Sequence, residues 1–254
     1  MEALLGIDIG GSGIKGAPVD SDQGEMLTKR WRIETPQPAT PEAVAAAVGS
    51  VVRHFDDVSG PIGITFPAVV KNGVTLSAGN VDDAWIGTDA AALFADQCGR
   101  PVSVVNDADA AGIAEMAFGA GVGRDGVVIV LTFGTGVGSG TFSGGSLVPN
   151  TEFGLLELHG STVEQYCAGR IKDEVGLTFG EWGDRVNELL VHLQRLFLPD
   201  LLVIGGGISK YFHEFSGRFD LSTDVLPATM RNDAGIIGAA MVAAGAGMSN
   251  LRPI

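Results

Sequence analysis

Near the start of the chain a carboxylate, four glycines and a lysine stand close together in Gly6-Ile-Asp-Ile-Gly-Gly-Ser-Gly-Ile-Lys15. Asp8 lies at the end of an apolar run of strand length, Ala3 to Ile9, with Gly10, Gly11 and Ser12 directly after it. Glycine lets the backbone bend tightly and brings bare N–H groups close to an anion. A carboxylate beside such a turn suits a Mg²⁺ ion held through water next to phosphate oxygens. Lys15 is either a phosphate contact or a solvated surface lysine. A second turn, Leu131-Thr-Phe-Gly-Thr-Gly-Val-Gly-Ser139, follows another apolar run. There Thr132 and Thr135 add hydroxyls around Gly134 and Gly136. A third, Gly205-Gly206-Gly207, ends a strand and precedes a predicted helix, a common place for phosphate or nucleotide contact. Singly, each turn is as much a connection as a site. Two turns at strand ends, one per half, point to a phosphate chain clamped between lobes, and so to phosphoryl transfer.

Other groups can serve that chemistry. Asn106-Asp107 follows the strand Val102–Val105. These residues either cap the next helix or supply a general base that takes a hydroxyl proton as the oxygen attacks a terminal phosphate. Glu152 and Glu164 are either solvated glutamates or a pair gripping vicinal hydroxyls through charge-assisted hydrogen bonds. Trp31, Trp85 and Trp182 read as core or lobe-contact residues.

The elements needed to position these groups repeat. Ala3–Ile9 and Gly13–Val19 form a hairpin, and Met26–Ile33 reads as a third strand. Thr40, Pro41 and Glu42 open a helix running through Val52, with cap, first-turn proline and favourable charge in order. Pro61–Phe66 is a buried strand, Thr88–Cys98 a helix, and Ala108–Phe118 another. In the second half, 126–133 and 138–142 flank the glycine turn, Val186 to Phe197 follows helical spacing, and Leu201–Ile204 is a strand. Hairpin, strand, helix and strand in both halves suggest a duplicated α/β unit. The boundary is expected near residue 107, giving lobes 1–107 and 108–234. A small-residue helix over about 235–247 should pack back on the first lobe.

Composition bounds the function. A chain of 254 residues with 45% apolar and 18% charged residues can bury a large core. Its net charge of −14 disfavours nucleic acid and anionic membranes, so any anion site must be local. Cys98 and Cys167 have no CxxC spacing, and the start of the chain has no leader-like basic segment. A soluble, reduced, cytoplasmic protein without a membrane span is expected.

Together the motifs resemble the ROK family of sugar kinases. Gly6-Ile-Asp-Ile-Gly-Gly, Asn106-Asp107-Ala-Asp-Ala-Ala, Leu131-Thr-Phe-Gly-Thr-Gly-Val-Gly, Glu152-Phe-Gly and Val203-Ile-Gly-Gly-Gly-Ile-Ser-Lys stand in family order, from residue 4 to about 243. The resemblance implies an α/β, two-lobe actin-like (ribonuclease H-like) ATPase fold with a sugar and phosphate cleft. Within the family, Thr35-Pro-Gln-Pro-Ala-Thr-Pro, Ala78-Gly-Asn80-Val-Asp-Asp-Ala-Trp85, Leu156-Glu-Leu-His-Gly160 and Pro227-Ala-Thr-Met-Arg-Asn232 look like the polyphosphate-dependent glucokinases and glucomannokinases. That likeness implies phosphorylation of glucose, with mannose left open, at the 6-hydroxyl, using inorganic polyphosphate, ATP or both, with Mg²⁺. It makes Asp107 the base and Asn80, Asn106, Glu152 and Glu164 sugar contacts. Gly10, Gly11, Ser12, Lys15, Thr132, Gly134, Thr135 and Gly136 become phosphate contacts, Gly205, Gly206 and Gly207 the nucleotide-side loop, and Asp8 the Mg²⁺ residue. It also implies a homodimer.

The sequence departs from the family at two points. Gly154 to Glu164 contains no cysteine, so no structural zinc is expected, and Leu155 occupies the position of a sugar-contacting histidine. An ATP-only hexose kinase, a sugar-responsive regulator and a non-catalytic sugar-binding module are the alternatives. The regulator is disfavoured by the acidic balance and by a phosphate-loop strand within five residues of the start. A polyphosphate donor would need a basic track, for which Lys15, Lys29, Arg30, Arg32, Lys71, Arg170 and Lys210 are candidates.

Overall fold

A computed structural model describes residues 3–79 and 81–245. The chain divides into two compact units, Met1–Ala114 with Asp233–Ile254, and Glu115–Asn232.

The first unit begins with β1 (Ala3–Gly10) and β2 (Gly13–Asp20), an antiparallel hairpin whose last pair is Gly10 with Gly13. The third strand expected over Met26–Ile33 is two short pieces, β3 (Glu25–Met26) and β4 (Trp31–Ile33), which pair with different stretches of β2. The break is a shift of register along β2. The Leu27 amide still bonds to the Pro18 carbonyl at 2.8 Å, one step beyond β3, but β4 then pairs with β2 in a shifted register, Gly16 with Trp31, and Arg30 in between reaches Asp233 at 2.8 Å.

Helix α1 (Pro41–His54) starts as its sequence dictates, the Thr40 hydroxyl accepting the Ala43 amide. Strand β5 (Ile62–Phe66) lies parallel to β1. A ribbon of β6 (Val70–Lys71) and β7 (Val74–Thr75) precedes α2 (Ala90–Cys98), which Asp89 caps. Strand β8 (Val102–Asn106) runs parallel to β5 and leads into α3 (Asp107–Phe118). The sheet order is β3-β2-β1-β5-β8. The division between units falls after Ala114, inside α3, so residue 107 is the first of that helix.

The second unit has the same plan. Strands β9 (Val127–Phe133) and β10 (Val137–Ser143) form a hairpin closed by Phe133 and Val137, extended by β11 (Ser146–Val148). A small ribbon, β12 (Glu157–Leu158) with β13 (Ser161–Thr162), leads to α4 (Val163–Cys167) and α5 (Gly169–Val175). Helix α6 (Phe179–Phe197) begins earlier than its apolar spacing suggests, because Thr178 and Glu181 form a capping box. Strand β14 (Leu201–Gly205) is parallel to β9. After α7 (Phe212–Phe215), β15 (Asp224–Pro227) pairs parallel with β14, so the order is β11-β10-β9-β14-β15. An antiparallel hairpin with two parallel strands beyond it, once per unit, is the duplicated ribonuclease H-like plan.

The chain then rejoins the first unit as α8 (Ala234–Ala243). Residues 246 and 247 of the helix expected to about 247 lie outside the described residues. Glycines allow α8 to lie directly on the sheet. A Cβ at Gly6 or Gly63 would strike the carbonyl oxygens of Ile236 and Ala239, and one at Gly238 would strike that of Ala110.

Each unit has its own core. In the first, Trp85 is fully buried against Phe66 and Phe94 and donates its indole N–H to the Ala39 carbonyl at 2.8 Å. In the second, Trp182 packs edge-on to Phe133 and Phe215 and donates to the Cys167 carbonyl at 3.0 Å. Both cysteines are free, and burial raises their thiol pKa values, Cys98 to about 11 and Cys167 to about 12. Among the described residues no helix is long and apolar enough to cross a membrane.

Candidate active site

In the first unit, strand register lines up three polar side chains. Asp8 on β1 is paired with Lys15 on β2 and with Thr65 on β5, so all three are cross-strand neighbours. Lys15 Nζ lies 3.2 Å from Asp8 Oδ2, and the buried Thr65 hydroxyl donates to Asp8 Oδ1 at 2.8 Å. Lys15 is therefore an ion-pair partner rather than a lone surface charge. The Gly235 Cα approaches closely, and a Cβ there would sit 3.2 Å from the Asp8 carboxyl. The adjacent turn is braced from outside. The Thr35 hydroxyl donates to the Gly10 carbonyl at 2.5 Å, and Arg32 donates to the Ser12 carbonyl at 2.6 Å.

Asn106 and Asp107 divide the roles that the sequence left open. Asn106 is buried and is the cap: its Oδ1 accepts the Ala108 and Asp109 amides at 2.8 and 3.1 Å, and Nδ2 donates to the Ala68 carbonyl at 3.1 Å. One N–H of that amide is left for a further acceptor. Asp107 is exposed in the first helical turn, its Oδ1 accepting the Ala108 amide at 2.8 Å. Asn80 lies outside the described residues.

In the second unit, Arg170 holds the glycine turn by its carbonyls. Its backbone N–H donates to the Gly134 carbonyl at 3.0 Å and its Nε to the Thr135 carbonyl at 2.6 Å. The Gly134 amide bonds to the Gly136 carbonyl at 3.0 Å. Among the described residues, the amides of Thr135 and Gly136 meet no protein acceptor. Open amides in a tight turn form an anion-binding nest.

Glu164 borders this turn. Its Oε2 accepts the Val137 amide at 3.3 Å and fills the space that a Cβ on Gly136 would need. Glu152 is half-buried. Burial first, and then the charge of Glu164, hold its pKa above the ordinary carboxylate value. The two glutamates therefore share one environment, and neither is an isolated solvated charge. Leu155, in the short turn after Glu152, is 64% exposed.

The third turn departs from the full helix expected after it. Gly206 has φ of +81°, and a Cβ there would strike the Phe133 carbonyl. The chain then makes a 3₁₀ turn, Gly207–Tyr211, and enters the four-residue α7. The dipole of so short an element is correspondingly small. The second and third turns nonetheless meet. Gly134 and Gly207 line one cavity of about 500 Å³, together with Arg170, Lys172, Phe179, Lys210 and Tyr211.

Three contributing residues were not singled out from the sequence. Thr65 could have been, as the sole polar side chain in the strand Ile62–Phe66. Lys172 sits on a short helix with no strong pattern. Glu115, buried on α3, accepts the amides of Ala120 and Met230 at 2.9 and 2.7 Å and so pins the loop beyond β15. Among the described residues no group of three or more His, Cys, Asp or Glu could hold a metal ion. Asp8 is a lone carboxylate already engaged by two donors. It fits a Mg²⁺ ion held mainly by water and donor oxygens, and not a protein cage.

The fold and these turns define a sugar-kinase class, and the chain belongs to the ROK family, whose profile matches residues 4–155. Its fold is the two-lobe actin-like ATPase fold of that class. The polyphosphate glucokinase of Mycobacterium tuberculosis is 46% identical over 93% of this chain and 89% of its own. The inorganic polyphosphate/ATP-glucomannokinase of Arthrobacter sp. strain KM superposes with a TM-score of 0.92 at 46% identity, covering 96% of this chain and 99% of that one. A ROK family glucokinase from Streptomyces griseus, solved with glucose and AMPPNP, superposes with a TM-score of 0.83 at 26% identity over 96% and 99%.

Proposed function

We propose that this chain is a hexokinase-type phosphotransferase. It moves the terminal phosphoryl group of inorganic polyphosphate or ATP to the 6-hydroxyl of glucose, with mannose as the alternative acceptor. The observation that carries this reading is the turn at Gly134–Gly136, with two amides open to an anion and Glu164 against it, in a chain 46% identical to polyphosphate glucokinases.

Asp107 is the general base. Its carboxylate accepts the 6-hydroxyl proton as that oxygen attacks the terminal phosphorus and the bond to the departing phosphate oxygen breaks. Its exposure, with Asn106 acting as the cap, supports this division. Glu152 and Glu164, with Asn106 and Asn80, hold sugar hydroxyls. The Thr135 and Gly136 amides, the hydroxyls of Thr132 and Thr135, and the first turn from Gly10 to Ser12 bind phosphoryl oxygens. Lys15 adds positive charge beside Asp8, and Gly205–Gly207 form the donor-side loop. Mg²⁺, when bound through water at Asp8, would neutralise charge on the donor oxygens.

We also place the protein in the cytoplasm, as its free cysteines suggest, and infer a homodimer, with Leu196, Phe197 and Leu198 offering exposed apolar surface. Light scattering on the purified protein tests the dimer. For the activity, purified protein is supplied with Mg²⁺, glucose or mannose, and either ATP or polyphosphate. Hexose 6-phosphate is the expected product, and its absence from every combination would sink the reading.

A further inference from the structure

Within the first unit, the proline-rich segment Thr35 to Pro41 touches both the first glycine turn and the loop that ends at Trp85. Pairing of Ile33 with Ile14 brings the chain alongside that turn. Arg32 then donates to the Ser12 carbonyl, and the buried Thr35 hydroxyl donates to the Gly10 carbonyl at 2.5 Å. In a planar trans peptide the carbonyl and the N–H point to opposite sides. Holding the Gly10 carbonyl from one side therefore aims the Gly11 N–H to the other. Arg170 acts on the second turn by the same logic. It holds the Gly134 and Thr135 carbonyls, and the open amides are those of Thr135 and Gly136.

Beyond Thr35 the segment is stiff, because the rings of Pro36, Pro38 and Pro41 each fix φ. Its far end is held twice. The Thr40 hydroxyl caps α1, and the buried Ala39 carbonyl accepts the Trp85 indole N–H at 2.8 Å. Trp85 is itself immobilised, its ring centre 4.3 Å from that of Phe66 and 5.7 Å from that of Phe94. A buried indole N–H needs an acceptor, and this segment supplies it. Trp85 also closes a loop. The Thr75 amide donates to the Thr88 carbonyl at 3.0 Å, and the Gly87 amide donates to the Thr75 carbonyl at 2.8 Å. The buried Thr75 hydroxyl lies within hydrogen-bond reach of the Trp85 and Thr88 carbonyls. The sequence places the sugar contact Asn80 in the segment closed in this way. A continuous run of contacts thus leads from the Gly10 carbonyl through Thr35, Ala39 and Trp85 to the ends of that loop.

We propose that Thr35 to Pro41 is a strap that sets the first turn and the Trp85 loop in one arrangement, with Thr35 and Trp85 as positioning residues for phosphoryl transfer. The inference rests on the phosphotransferase reading, and a spectroscopic measurement tests it apart from turnover. The chain has three tryptophans, so the Trp85 indole N–H gives one of three indole signals in a proton–nitrogen NMR spectrum, identified by its loss in Trp85→Phe. In parallel, kcat and KM are measured on the full chain for polyphosphate, ATP and glucose.

Thr35→Val keeps the shape and removes the donor. It should lower kcat/KM for polyphosphate and ATP alike by about tenfold or more, the scale of misaiming one transition-state amide. It should also shift the Trp85 indole signal. Thr35→Ser, which keeps the hydroxyl, should recover most of both. Trp85→Phe should raise KM for glucose and lower kcat/KM for the donors, and the double variant should lose less than the product of the two single effects. Phe94→Leu shrinks the same core but keeps the indole N–H. It should lower the thermal midpoint and leave kcat/KM within about threefold, less than one hydrogen bond is worth. An indole signal unmoved by Thr35→Val, single effects that simply multiply, or equal kinetic loss in Phe94→Leu would each overturn the proposal. A shifted indole signal in a protein that makes no hexose phosphate would uphold the strap and reject the phosphotransferase reading. Full turnover in Thr35→Val would reject the strap and leave that reading intact.

Discussion

The Glu164 carboxylate rests on Gly136, where a Cβ would have to sit, and accepts the neighbouring Val137 amide at 3.3 Å. A residue proposed to grip the hexose thus also shapes the turn proposed to hold the transferred phosphoryl group. This contact gives glycine at position 136 a reason beyond backbone freedom.

Gly136→Ala drives a methyl group into that carboxylate. It should lower kcat/KM for hexose and donor together, by about tenfold or more, the scale of misplacing one transition-state donor. Glu164→Ala in the same chain removes the clash, so the double variant should lose less than the two single effects combined. Steady-state kinetics with each substrate varied is the check. A loss confined to one substrate would show that the contact couples nothing.

Asn106 and Asp107 are adjacent but should fail in different ways. Asp107→Asn should cut kcat by about 10²–10⁴-fold, as expected for a general base, with little change in thermal midpoint. Asn106→Ala removes the cap of α3 and should destabilise by about 1 kcal/mol, seen as a lower midpoint in calorimetry. Full turnover in Asp107→Asn would reject the base assignment.

Glu152 carries a pH signature. Burial, followed by the Glu164 charge, raises its folded-state pKa above the usual 4.5. Stability from that shift is complete below the unfolded value and is lost as pH rises through the folded one. Glu152→Gln, which cannot ionise, should therefore gain on the wild type as pH rises through this window. Melting curves from about pH 4 to about pH 8 would reveal it, and parallel pH profiles for the two proteins would count against it.

Leu155 stands where the family resemblance places a sugar-contacting histidine, and its aliphatic side chain can neither donate nor accept. Leu155→His should lower KM for the hexose by the equivalent of about 1–3 kcal/mol, the worth of satisfying a buried hydroxyl, and leave kcat nearly unchanged. An unaltered KM would reject a sugar-facing role for this position.

Much of the architecture was legible from local properties alone. The strand lengths, the glycine turns, the Thr40-Pro41-Glu42 helix start and the α/β repetition each depend on a few consecutive residues, so they can be read directly. The middle of α6 was visible in its apolar spacing, but its start was set by a Thr178–Glu181 capping box that spacing does not reveal. The break between β3 and β4 was hidden because strand propensity continues across it, while pairing with two separate stretches of β2 does not.

The site divides in the same way. Residue types and turns were enough to nominate Asp8, Asp107, the two glutamates and the three glycine loops. Sheet register decided that Asp8 meets both Lys15 and Thr65, and helix capping decided which of Asn106 and Asp107 stays exposed. Tertiary packing alone set Glu164 on Gly136, braced the second turn with Arg170, and placed Lys172 and Lys210 around one cavity. Backbone freedom, caps and periodicity act over a few residues and can be read along the chain. A contact between residues 28 or 35 positions apart exists only once strands and helices have paired.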